Sequence, residues 1–146
     1  MYETILTIHS FIAYAVLTIL ILAVLNAISG WLGNKMFTPE KDFRLSLFAL
    51  ILSHLMLVIG LILFFVSPNG LNAIQELGMG GLSSPARLLA VEHPFTNILA
   101  IIFITVGWSR HKKFIEAKKK FKSIGIFYGL GLLLFLSRIP WGQWFN

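Results

Sequence analysis

Four apolar stretches, near residues 4–29, 43–66, 87–109 and 122–139, leave this chain very few ways to fold. Each is long enough to cross a hydrocarbon core of about 30 Å, which takes about 20 helical residues at about 1.5 Å apiece. Inside such a core no water is available to backbone N–H and C=O groups, so only helices or a closed barrel can cross it. The polar/apolar alternation of barrel strands is missing here. The expectation is therefore an all-α membrane protein, with residues 1–146 forming a single transmembrane four-helix up-down bundle. The chain is 57% hydrophobic and only 12% charged, about half the usual charge of a globular domain. A soluble domain could not cover its core with so little polar surface. With no cysteine, the chain offers no disulfide framework, no Cys-ligated zinc or iron–sulfur site and no thiol nucleophile.

Boundary signals agree with these spans. Thr38-Pro39-Glu40 and Ser84-Pro85 each set a capping hydroxyl before a proline at a first helical position. The first stretch carries Glu3 in place of a basic leader region, so it is expected to be retained. Trp31, Trp108, Trp141 and Trp144 fall near span ends, where an indole anchors at the membrane interface. The net charge of +6 is unevenly placed: Lys35, Lys41 and Arg44 in the first loop, with Arg110, Lys112, Lys113, Lys118, Lys119, Lys120 and Lys122 in the third, make ten of the twelve basic residues. The positive-inside rule puts both loops in the cytoplasm, with both termini and residues 67–86 outside. The basic run is expected to meet anionic lipid rather than nucleic acid, and His111 within it to meet headgroups. Residues 67–86 mix turn formers with an amphipathic piece, 71–77, suited to a lid or a connector.

Ionisable groups at membrane depth are costly and so mark function. His9, His54, His93 and Glu92 are the candidates. Counting from the span ends at about 1.5 Å per residue puts His9 about 7 Å and His93 about 9 Å below the outer surface, with His54 near the midplane at about 18 Å. In an up-down bundle the first and third helices are diagonal, so His9 and His93 are expected to face each other across the axis. That arrangement suits a bis-histidine haem b. Covalent haem is excluded, because its attachment motif needs cysteine. Arg87 and Arg138 are expected near the haem propionates, and Asn97, one turn beyond His93, could orient a ligand. Pro94 removes a backbone donor and should kink or unwind the third helix beside His93. His54 is an alternative ligand or part of a quinone or proton path. Gly60, Gly125 and Gly129 read as close-packing positions.

At Ile8-His9-Ser10, at Ser53-His54-Leu55-Met56 running on to Phe64-Phe65-Val66-Ser67-Pro68, at Ala90-Val91-Glu92-His93 and at Ile139-Pro140-Trp141, the chain resembles short four-span membrane proteins of Bacteroidetes-type bacteria labelled cytochrome b-like. The resemblance covers nearly the whole length. It implies a place in the bacterial cytoplasmic (inner) membrane and singles out His9, His54 and His93. Ala13 and Met56 stand where relatives would be expected to have a basic residue and an amide.

Two other functions compete with electron transfer. His9, His54 and His93 with Glu92 could bind zinc or copper directly as a metal site or transporter, although their stepped depths oppose a shared ion. Alternatively the chain is a non-catalytic assembly subunit of a larger membrane complex, or a homo-oligomer. No phosphate-binding glycine loop or paired catalytic carboxylates suggest an enzyme with its own substrate.

Overall fold

The structure, a computed structural model, describes residues 1–144; the last two residues of the expected 1–146 domain lie outside the described residues. The chain opens with α1 (Tyr2–Leu32). A π-helical turn, Pro39–Phe43, runs into α2 (Arg44–Val66). Next come α3 (Leu71–Leu77), a 3-10 turn at Met79–Gly81 and α4 (Ser84–Arg87). A second π-helical turn, Leu88–Glu92, leads into α5 (His93–Lys113), followed by α6 (Ala117–Ser137) and the short α7 (Trp141–Trp144). No strand occurs among the described residues. Four helices are long and apolar enough to cross a membrane.

Helix α1 packs against α2 and α6, and α5 packs against α6 and α2, so α1 and α5 stand opposite one another. The α5–α6 contact is the most extensive. A Cβ at Gly131 would lie 2.7 Å from Ile104 Cγ1 and 3.0 Å from the Ala100 carbonyl oxygen. Lipid tails are as apolar as leucine, so helices associate through such close van der Waals packing rather than through burial of oil from water. The outward faces are correspondingly apolar, with Phe11, Leu25, Phe48, Phe65, Phe95 and Leu133 all exposed.

Ten of the basic residues named above flank the ends where α1 passes to α2 and α5 to α6. Asp42 is buried there, and its carboxylate accepts from Asn26 Nδ2 at 2.7 Å, Thr38 N at 2.7 Å and Thr38 Oγ1 at 3.1 Å. The expected Thr38 cap is thus reversed: the helix-side carboxylate serves the cap's own N–H, and Thr38 makes no side-chain cap bond. At the other proline signal the cap is Ser83, one residue earlier than expected, accepting from Ala86 N at 3.4 Å.

Two expectations are corrected at this basic end. His111 does not meet headgroups; it is fully buried among the rings of Phe37, Phe43 and Trp108. Trp108 is not an interfacial anchor but a core residue 8% exposed. Helix α5 outruns its apolar stretch to Lys113, which carries both side chains inward. By contrast, Lys122 lies over the half-buried Trp31 ring at 5.7 Å, leaving that indole at the molecule's rim.

Candidate functional site

A cavity of about 330 Å³ opens at the other end of the molecule, between the start of α1, the end of α2, the start of α5 and the end of α6. Its walls are mostly aliphatic and aromatic, interrupted by His9, Ser10, Ser67, Asn69, His93 and Asn97. An apolar pocket with a few converging polar groups is the usual form of a small-molecule site, and this volume is at the lower end of their range.

His93 is placed by three local features. Pro94 offers no N–H, and the π-helical turn Leu88–Glu92 widens the helix immediately before it; this is the disturbance expected from that proline. Helix α6 ends at Ser137, because Pro140 disfavours helical conformation at Ile139. The last carbonyls of a helix lack internal partners. One of them, that of Arg138, accepts from His93 Nδ1 at 2.9 Å. One turn further along α5, Asn97 Nδ2 lies over the His93 ring, 3.0 Å from Nε2 and 3.4 Å from Nδ1. The Arg138 carbonyl can only accept, so the bond to it places the ring proton on Nδ1.

His9 comes from the opposite helix. Gly60 on α2 leaves room for it, since a Cβ there would sit 3.4 Å from His9 Cε1. Its Nδ1 is buried with no hydrogen-bond partner, and so is Asn97 Oδ1. The His9 and His93 ring centres are 6.2 Å apart with their planes at 71°. A metal–imidazole bond of about 2.0 Å plus roughly 1.2 Å from nitrogen to ring centre gives about 6.4 Å between two axial imidazoles on one ion. The separation is close to that of two imidazoles sharing one ion.

Arg87 and Arg138, expected beside a cofactor's carboxylates, do not line the cavity. Glu92 lies between them, with Oε2 3.7 Å from Arg87 Nε and Oε1 3.5 Å from Arg138 Nε. All three side chains are more than a third exposed, so these pairs contribute modestly to stability. Arg138 reaches His93 through its backbone, a role for which Ile139-Pro140 after the helix end was the available signal.

His54 does not line this cavity. Its Nδ1 bonds the Leu50 carbonyl at 2.8 Å and its Nε2 meets Thr105 Oγ1 at 3.3 Å, tying α2 to α5. The structure thus brings together His9, His93 and Asn97 and holds His54 apart, while the Arg87 and Arg138 side chains engage Glu92 rather than lining the cavity. Among the described residues no group of three His, Asp or Glu side chains is arranged to hold a metal ion. No protein-family model, curated protein or solved structure matches the chain.

Proposed function

We propose that this chain is a haem b electron carrier of a bacterial cytoplasmic membrane, related to the short cytochrome b-like proteins it resembles. In this reading it is an up-down bundle with both termini outside, His9 and His93 the axial ligands. The observation that carries the reading is the pair of imidazoles from opposite helices, 6.2 Å apart in one cavity. Haem bound there supplies a reversible one-electron iron couple. His9 and His93 would both hold the iron through their imidazoles, a ligand set that suits electron transfer rather than oxygen binding.

The chain's own residues divide the remaining tasks. The Arg138 carbonyl holds the Nδ1 proton of His93, the outer-sphere hydrogen bond that orients ligand imidazoles and raises their basicity. Arg87 and Arg138 give the rim a net positive charge beside Glu92, matched to carboxylate substituents. The aliphatic walls keep water from the iron's surroundings. Lipid covers the outward apolar faces, and anionic headgroups meet the basic end. A quinone or a second redox protein would be the electron partner, either for the chain alone or within a larger membrane complex.

Protein purified in detergent from haem-replete cells should show reduced-minus-oxidised Soret and alpha bands. Those bands should disappear in His93→Ala and in His9→Ala and persist in His54→Ala, whose ring lies outside the cavity. A colourless wild-type preparation overturns the proposal.

A further inference from the structure

We propose that His54 and Thr105 form a proton-binding site in the middle of the long apolar helices, where His54 takes a second proton on Nε2 and a chain of acceptors already in place holds it. The site stands apart from the cavity histidines and does not depend on what occupies the cavity.

Two side chains and two backbone carbonyls meet here. The Leu50 carbonyl can only accept, so His54 Nδ1, 2.8 Å from it, carries a proton. Thr105 Oγ1 has one proton and two neighbours able to take it, the Ile101 carbonyl at 2.7 Å and His54 Nε2 at 3.3 Å. The shorter distance is usual for a hydroxyl donating to an oxygen, and the longer one exceeds the ordinary range, so the proton points to Ile101. A neutral ring then sets the Nε2 lone pair against a lone pair of Oγ1. A second proton removes that conflict: Nδ1–H donates to the Leu50 carbonyl, Nε2–H to Oγ1, and Oγ1–H to the Ile101 carbonyl. Each donor then has its own acceptor.

A cation at this depth is costly unless such groups receive it. No fixed charge of the neighbouring helices stands beside them. His54 is the one titratable side chain from Leu45 to Val66 of α2, and Pro94 to Ser109 of α5 contain none. On α1, also packed on α2, His9 and Tyr14 are the titratable side chains between Thr4 and Asn34. His9 lies against Gly60, six residues or about 9 Å further along α2. Tyr128 of α6 meets α2 at Ser46, two turns away. The π-helical turn before α2 brings Glu40, Lys41 and Asp42, and α3 after it brings Glu76, each at least twelve residues from His54.

The cavity gives the proton its approach. Leu57 and Ile101 line it, and each is one helical turn from His54 and Thr105 respectively. In the step itself a hydronium ion gives its proton to the Nε2 lone pair and leaves as water. The ring gains one positive charge and no electron moves.

The test uses the full chain in detergent labelled with ¹⁵N-histidine, with His54 signals identified by their loss in His54→Gln. Two-bond ¹⁵N–¹H correlation spectra, recorded from about pH 8 to about pH 5 where imidazoles titrate, should show Nδ1 protonated throughout and Nε2 protonated at the acid end. Thr105→Val keeps the shape and removes the hydroxyl; it should lower the pH of uptake by about one unit, a tenfold weaker hold on the proton. Thr105→Ser should restore it. An Nε2 that stays unprotonated over the whole range overturns the site, as does a ring with its proton on Nε2 and none on Nδ1. Uptake unchanged in Thr105→Val overturns the part given to Thr105. The wild-type spectrum alone decides whether His54 takes the second proton should a variant fail to fold.

Discussion

Buried polar groups set the terms for single residues in this molecule, because the surrounding medium offers them no water. Asp42 is the clearest case: its carboxylate holds the Asn26 amide, the Thr38 N–H and the Thr38 hydroxyl, and its own carbonyl accepts from Ser46 Oγ at 2.8 Å. Asp42→Ala strands the Asn26 and Thr38 donors and should cost about 2–3 kcal/mol, read as a lowered thermal midpoint in detergent. Asp42→Asn keeps one acceptor and should lose less. If the two variants melt alike, the carboxylate is not what orders the first loop. At this scale the sequence discloses some residues and hides others. The meeting of His9 with His93 follows from depth counting together with the diagonal placing of the first and third helices, because both sit a fixed number of helical rises from a span end. His111 is hidden by its neighbours: six lysines and arginines lie from 110 to 120, and they mask a buried stripe of Ile101, Ile104, Trp108 and His111 spaced three, four and three apart. That spacing is the signature of one inward helix face. The Arg138 carbonyl leaves no trace in side-chain identity, and its one signal is Ile139-Pro140, which ends the helix and frees the last carbonyls without saying what they meet.

Between elements, the useful distinction is which glycines mark close approach. Apolar run length gave the long helices, with errors only at their ends, where α1 and α5 continue beyond the apolar runs and α6 stops at Ser137. The partner of each helix face is less legible. Gly125 and Gly129 share a face, but against α1 they make ordinary contacts, the nearest for Gly125 being Ala27 Cβ at 3.6 Å from an added Cβ. The tight places are Gly131 and Gly107 between α5 and α6, and Gly30, where an added Cβ would lie 2.5 Å from the Phe121 ring of α6. Composition cannot separate these cases, because all five are glycines in the long helices and only the neighbour differs. Gly131→Ala forces a methyl against Ile104 and the Ala100 backbone and should destabilise by about 1–3 kcal/mol. Gly125→Ala should stay within about 0.5 kcal/mol of wild type. Chemical or thermal unfolding of the two variants in one detergent checks the contrast, and a larger loss at Gly125 would mean that α1–α6 rather than α5–α6 is the tighter contact.

For the whole molecule the two ends differ in charge, and that difference should set orientation. One end carries the ten basic residues of the first and third loops; the other carries Arg87 and Arg138, each engaged with Glu92. Each lysine or arginine near an anionic leaflet is worth about 1 kcal/mol, so the asymmetry far exceeds thermal energy. The proposed orientation, with the basic end in the cytoplasm and the histidine cavity toward the outside, can be tested cleanly because the chain has no cysteine of its own. Single reporters belong at exposed positions on opposite ends: Lys119→Cys in the first turn of α6, and Glu76→Cys in α3. In spheroplasts a membrane-impermeant maleimide should label Glu76→Cys at once and Lys119→Cys only after the membrane is opened. The reverse pattern would turn the cavity toward the cytoplasm, placing any cofactor there within reach of cytoplasmic rather than external electron partners. Labelling of both from one side would mean that the chain does not cross the bilayer as an up-down bundle, and the opposed helices α1 and α5 would then need a different account of how they come to share a cavity.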